Sequence, residues 1–160
     1  MTNAVTITAP EGLPFVDIER EFDAAPAAVF RAHADPELVS QWMGPHGYEM
    51  TLPEWDFTSH GSYRFIHRDT EGNEYCFNGT FHTVRENEMV IQTFEFEGAP
   101  DAVSIEKLTL TDLGNGRTKL SSRATYPSVE VRDAMVESGM EYGITEGYES
   151  LDEILAGWKN

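Results

Sequence analysis

The polar residues whose spacing sets them on or beside apolar faces are His67, Glu137 and Arg20. His67 alternates with Tyr63 and Phe65, Arg20 alternates with Val16, Ile18 and Phe22, and Glu137 borders an apolar helical face. A carboxylate or imidazole held among apolar groups has a displaced pKa and can move protons near neutral pH. His67 and Glu137 are therefore the candidate catalytic pair, as acid and base of a cyclase- or hydrolase-like reaction, provided they converge on one cavity. The structural alternative pairs Arg20 with a carboxylate and leaves His67 at a strand end near solvent.

Other chemistries find little support. The histidines at 33, 46, 60, 67 and 82 show no His-x-x-x-His or similar spacing, so no metal site is expected. Ser40, Ser59, Ser62 and Ser104 lie in no Gly-x-Ser-x-Gly elbow. Cys76 is the single cysteine, which excludes an internal disulfide, and it points opposite to Tyr75 and Phe77 on its strand. No cofactor is implied.

Binding is better supplied with residues. Tyr63, Phe65, His67, Tyr75, Phe77 and Phe94 lie on strand faces that can turn inward, and Met140, Ile144 and Tyr148 lie on a C-terminal helix. These are the candidate lining of a ligand cavity, with Trp42 at its mouth. Apolar burial, at roughly 25 cal/mol per Å², would supply affinity, and His67 with the tyrosine hydroxyls would orient polar ends. The alternative is that the same aromatics fill a solid core.

The elements that must position these residues follow from periodicity. Residues 15–22 alternate apolar and charged, as a half-buried strand does. Two short helices follow, opened by Pro26 and by Asp35-Pro36, and Met43-Gly44-Pro45-His46-Gly47 must turn. From Tyr48 to Tyr126 the pattern predicts consecutive antiparallel strands, with Pro53 interrupting the first and Gly114-Asn115-Gly116 closing the last hairpin. Ser128 caps a long final helix whose apolar face collects Val136, Met140, Ile144, Gly147, Leu151, Ile154, Leu155 and Trp158, with a bend near Ser138-Gly139.

One helix cannot cover a sheet of six or seven strands, so the sheet must curl around it. The predicted fold class is α+β, one domain over residues 15–158 whose antiparallel sheet wraps a long C-terminal helix, preceded by a flexible segment, 1–14. Gly143 and Gly147 remove side-chain volume on or beside the inward helix face, and are expected to notch it toward the sheet. Gly139 lies off that face, where the helical phase slips.

The net charge of −17 argues against nucleic acid or an anionic membrane as partner. No apolar run is long enough to span a bilayer and no leader pattern opens the chain, so a cytoplasmic protein, monomer or homodimer, is expected.

The stretch from Phe22 to Pro45, FDAAPAAVFRAHADPELVSQWMGP, resembles the opening of the family named for the activator of the heat-shock-protein-90 ATPase. Further matches are His60-Gly61, the Asp69–Tyr75 hairpin, Phe77-Asn78-Gly79-Thr80-Phe81, and Glu146-Gly147-Tyr148 followed by Leu151 and Leu155. The sequence departs from the family where Met43 and Tyr148 stand at usual tryptophan positions, and where His60-Gly61 replaces a commoner Gly-Gly. The resemblance implies a helix-grip (SRPBCC, START-like) fold, shared with lipid-transfer domains, pollen-allergen carriers and aromatase/cyclases. It also makes a chaperone a candidate partner beside a small apolar or amphipathic molecule.

Overall fold

The structure, a computed structural model, describes residues 3–158. Eight strands run β1 (Thr6–Thr8), β2 (Phe15–Phe22), β3 (Glu49–Trp55), β4 (Ser62–Arg68), β5 (Glu74–Arg85), β6 (Met89–Phe96), β7 (Ser104–Gly114) and β8 (Arg117–Thr125). The helices are α1 (Pro26–Ala34), α2 (Pro36–Trp42), α3 (Val129–Glu137) and α4 (Met140–Gly157). The sheet is antiparallel in the order β1-β2-β8-β7-β6-β5-β4-β3. This is the α+β helix-grip arrangement, with more strands than the sequence suggested.

The additional strand, β1, lies in the segment before residue 15, where the sequence suggested no element. Ile7 pairs with Ile18 in β2, and the Pro10 carbonyl accepts a 2.9 Å bond from the buried Arg132 guanidinium. A three-residue strand carries too little alternation to be seen as a period.

Local chemistry accounts for the other boundaries. Asp35 caps α2 by accepting from Glu37 N at 3.0 Å. Pro53 sits on the edge strand β3, at an interruption of its register with β4, where no ladder donor is needed. Gly114, Asn115 and Gly116 all have positive φ, as the tight β7–β8 hairpin requires.

The C-terminal helix is broken rather than continuous. Gly139, at φ 89°, separates α3 from α4 where the apolar phase slips. Val136 and Trp158, assigned by a single helical projection to the inward face, are both exposed. The projection ran across the break and one residue past the last turn, so neither residue keeps its phase.

The interior has two apolar clusters. In the first, Val16, Phe22, Leu120 and Ala124 of β2 and β8 pack against Tyr148, Leu151 and Leu155 of α4. In the second, Tyr63, Phe65, Phe81 and Val90 of β4–β6 gather Trp55, Phe57, Phe77 and Phe94 around them. No α4 residue belongs to the second cluster; Phe30 of α1 and Met43 touch both.

Candidate ligand-binding face

The glycines of α4 do not notch it toward the sheet. A Cβ on Gly147 would lie 3.1 Å from the Trp42 carbonyl oxygen and 3.2 Å from Gly44 N, and one on Gly143 would lie 3.5 Å from the Pro45 ring. The notch is filled by the turn after α2. That turn leans in its own right on β4: a Cβ on Gly44, at φ 105°, would stand 2.7 Å from His67 Cε1. Helix, turn and strand are thus stacked through Gly147, Gly44 and His67. A side chain at Gly44 would collide with the imidazole, and one at Gly147 would press on the turn.

The stack redefines several candidate residues. Trp42 is not at a mouth but buried, donating from Nε1 to Ala32 O at 2.9 Å and stacking on Tyr148. His67 is buried rather than near solvent, among Phe65, Phe77 and Tyr48. Its Nε2 has no partner, and burial lowers its pKa, so the ring is neutral at physiological pH. Tyr75 is exposed beside Tyr48 at the end of the β4–β5 hairpin. Glu137 is exposed at the end of α3, which packs on β2 and α4, whereas β4 with His67 pairs with β3 and β5. The structure does not bring the candidate acid and base together.

Arg20 is held by Asp152 of α4 through two 2.6 Å bonds, and its guanidinium lies 4.7 Å from the Phe22 ring centroid. Its charge is matched, as burial requires.

The remaining candidates divide between the clusters. Met140, Ile144 and Tyr148 pack with the first; Tyr63, Phe65, Phe77 and Phe94 form the second. Phe65 and Phe77 stack at 4.9 Å, Phe77 and Phe94 at 5.4 Å, and Phe96 continues the row 5.2 Å from Phe77. Phe77, Phe94 and Phe96 stay only half-buried. Tyr63 lies deeper; its hydroxyl donates to Thr93 O at 2.6 Å and accepts from Gln92 Nε2 at 3.1 Å. Gly79 makes room for that hydroxyl, since a Cβ there would meet it at 2.6 Å.

Glu106 escaped the sequence reading. On β7 it stands opposite Gln92 of β6 and Ala124 of β8, on the inner face with Ser104, Leu108 and Leu110. It therefore sits on the seam between the two clusters. Among the described residues no hydrogen bond reaches its carboxylate, and burial pushes its pKa up to about 7. Burial first, then the Glu106 charge, holds the hydroxyls of Tyr63, Tyr126 and Tyr148 above the ordinary phenol range. Part of the Glu106 surface remains open although the group is strongly desolvated. The alternation of its strand misleads: Val103 and Ile105 are exposed, while a glutamate occupies the inward phase.

Two surface clefts stand apart from the aromatic row. One of about 330 Å³ lies between residues 3–5 and α4, over Arg20, Thr145 and Tyr148. The other, about 280 Å³, is an open groove on the outer face of β2, β8 and β7, along Asp17, Lys107, Ser121 and Arg123.

Residues 23–156 match the model of the activator of Hsp90 ATPase homolog 1-like protein family. The chain belongs to this family. Membership supports a ligand-binding or activator-like module in general. The fold is shared with a protein from Rhodobacter sphaeroides, at TM-score 0.87 and 24% identity over 96% of this chain and 99% of that one. A protein from Arthrobacter aurescens aligns at TM-score 0.86 and 25% identity, covering 95% of this chain and 91% of its own. The AHSA1 protein from Silicibacter pomeroyi aligns at TM-score 0.72 and 24% identity, over 89% and 97%. Among curated proteins no match is found. No helix among the described residues is long and apolar enough to cross a membrane.

Proposed function

We propose that this family member binds a small hydrophobic or amphipathic molecule on the concave face of the sheet, between the aromatic row of β4–β6 and α4. The observation that carries this reading is the half-buried row of Phe77, Phe94 and Phe96, which no residue of α4 joins in a cluster. Stacked aromatics left partly open offer apolar area to a guest, and Tyr63 and Phe65 form the floor. Ile144, Met140 and Tyr148 supply the facing wall, and His67 closes one end beneath Gly44.

Binding of N-phenyl-1-naphthylamine, a neutral apolar dye, tests the reading. Its fluorescence should rise on saturable binding, and Phe94→Ala with Phe77→Ala should weaken that binding while the protein stays folded. A dye that binds no better to wild type than to the double variant ends the proposal. Native mass spectrometry of freshly purified protein gives an independent view, through any retained small molecule.

A second reading, an activator-like module acting on a chaperone, draws on the family match and the charge of −17. The ATPase rate of an Hsp90-type chaperone, measured with and without this protein, decides it.

A further inference from the structure

The geometry points to Glu106 as the anchor for the polar end of the ligand, and to a lipophilic amine as the ligand class. The inference rests on the concave face being the binding site. It starts from position: Glu106 occupies the seam between the clusters, facing Gln92 on one neighbour strand and Ala124 on the other.

Partners come next. A buried carboxylate is ordinarily paired, because its desolvation is otherwise uncompensated. Among the described residues, each buried arginine is engaged elsewhere. Arg20 is bidentate on Asp152, and Arg132 bonds Asp133 and the carbonyls of Pro10 and Phe15. His67 is neutral and lies at the β4 end of the face. Glu106 thus lacks a protein counter-charge among the described residues, and an anionic ligand would find none either.

The surroundings fit an ammonium. Tyr63, Tyr126 and Tyr148 all lie within range of the Glu106 charge. No hydrogen bond from a described residue engages the hydroxyls of Tyr126 or Tyr148, which leaves them free to accept from an N–H. The overall charge of −17 steers cations toward the protein and anions away. An alkyl or aromatic tail would then extend from the seam along Phe65, Phe77 and Phe94.

The experiment uses the dye above and three competitors of matched tail: decylamine, decanol and decanoate. In wild type at about pH 8, decylamine should displace the dye at roughly tenfold lower concentration than decanol, with decanoate weakest, as an added ion pair would produce. In Glu106→Gln the amine's advantage over decanol, read as the ratio of their displacing concentrations in that same protein, should vanish. A second measurement needs no variant. The alkylammonium stays protonated from about pH 5.5 to 8. Decylamine should therefore gain affinity across that range as Glu106 ionises, while decanol should not. Equal displacement by amine and alcohol, or an amine advantage that survives Glu106→Gln, overturns the anchor and leaves the binding face standing. Absence of dye binding removes both.

Discussion

Under α4 the concave face is sealed, and over β4–β6 it is not. Val16, Phe22, Leu120 and Leu151 have no exposed surface; beside them both terminal nitrogens of Arg20 bond Asp152, and Thr118 donates to the Ala24 carbonyl. The other half is aromatic and half-open, with Phe77, Phe94 and Phe96 stacked beside the deeper Tyr63 and Phe81. The difference comes from where the helix is held. The Trp42–Pro45 turn lies between α4 and His67, so glycines at 147 and 44 fix the spacing of helix, turn and strand. One half is built for stability. The other retains apolar area for a guest.

The largest expected effect tests the sealed half. Leu151→Ala should cost about 3–5 kcal/mol in urea denaturation, as large-to-small changes in a close-packed core do. Phe94→Ala should cost about 1 kcal/mol and act mainly on dye binding, because part of the ring already faces solvent. Equal costs at the two sites would erase the distinction between the halves.

The seam should show itself through pH. Glu106 has a folded pKa near 7, above its unfolded value, so the folded state holds the proton more tightly. Its contribution to stability is full below about pH 4.3 and falls as pH rises toward about 7, then stays level. Glu106→Gln removes that loss. The variant should match wild type near pH 4 and exceed it at pH 8, by up to about 3 kcal/mol. His33 and His67, whose pKa values burial lowers, tilt stability the other way but are common to both proteins. Identical pH profiles for the two proteins would mean that Glu106 is not desolvated at the seam.

The stack between the halves predicts a coupled pair. Gly44→Ala should destabilise by roughly 2–3 kcal/mol, from left-handed strain and collision with the imidazole. In a double-mutant cycle, His67→Ala should recover the steric part, leaving about 1 kcal/mol of backbone strain. Independent effects would mean that the turn does not lean on β4.

The smallest effects belong to residues outside both halves. Tyr75→Ser and Glu137→Ala should each change stability by less than about 0.5 kcal/mol and leave dye binding unchanged, since both side chains are exposed.

Much of the fold is legible locally. The alternation of residues 15–22, the Asp35-Pro36 helix start and the Gly114-Asn115-Gly116 turn each state their element through a few neighbouring residues. Gly139 announces the helix break because the apolar phase slips around it. Tyr63, Phe65, Phe77 and Phe94 gather in one cluster along faces that period two marks, since that period needs only the strand itself. Glu106 shows where this ends. Its strand alternates polar and apolar on both faces, so neither phase identifies the interior.

The sequence alone thus determined the elements, their order, and the curling of a long antiparallel sheet around one helix, because turn chemistry, capping and periodicity act over a few residues. Only the tertiary structure decided what the glycines of α4 touch, which aromatics are sealed, and which acid stands without a partner. Those facts depend on residues far apart in the chain, such as Gly44 with Gly147 or Arg20 with Asp152, meeting at distances that no local pattern encodes.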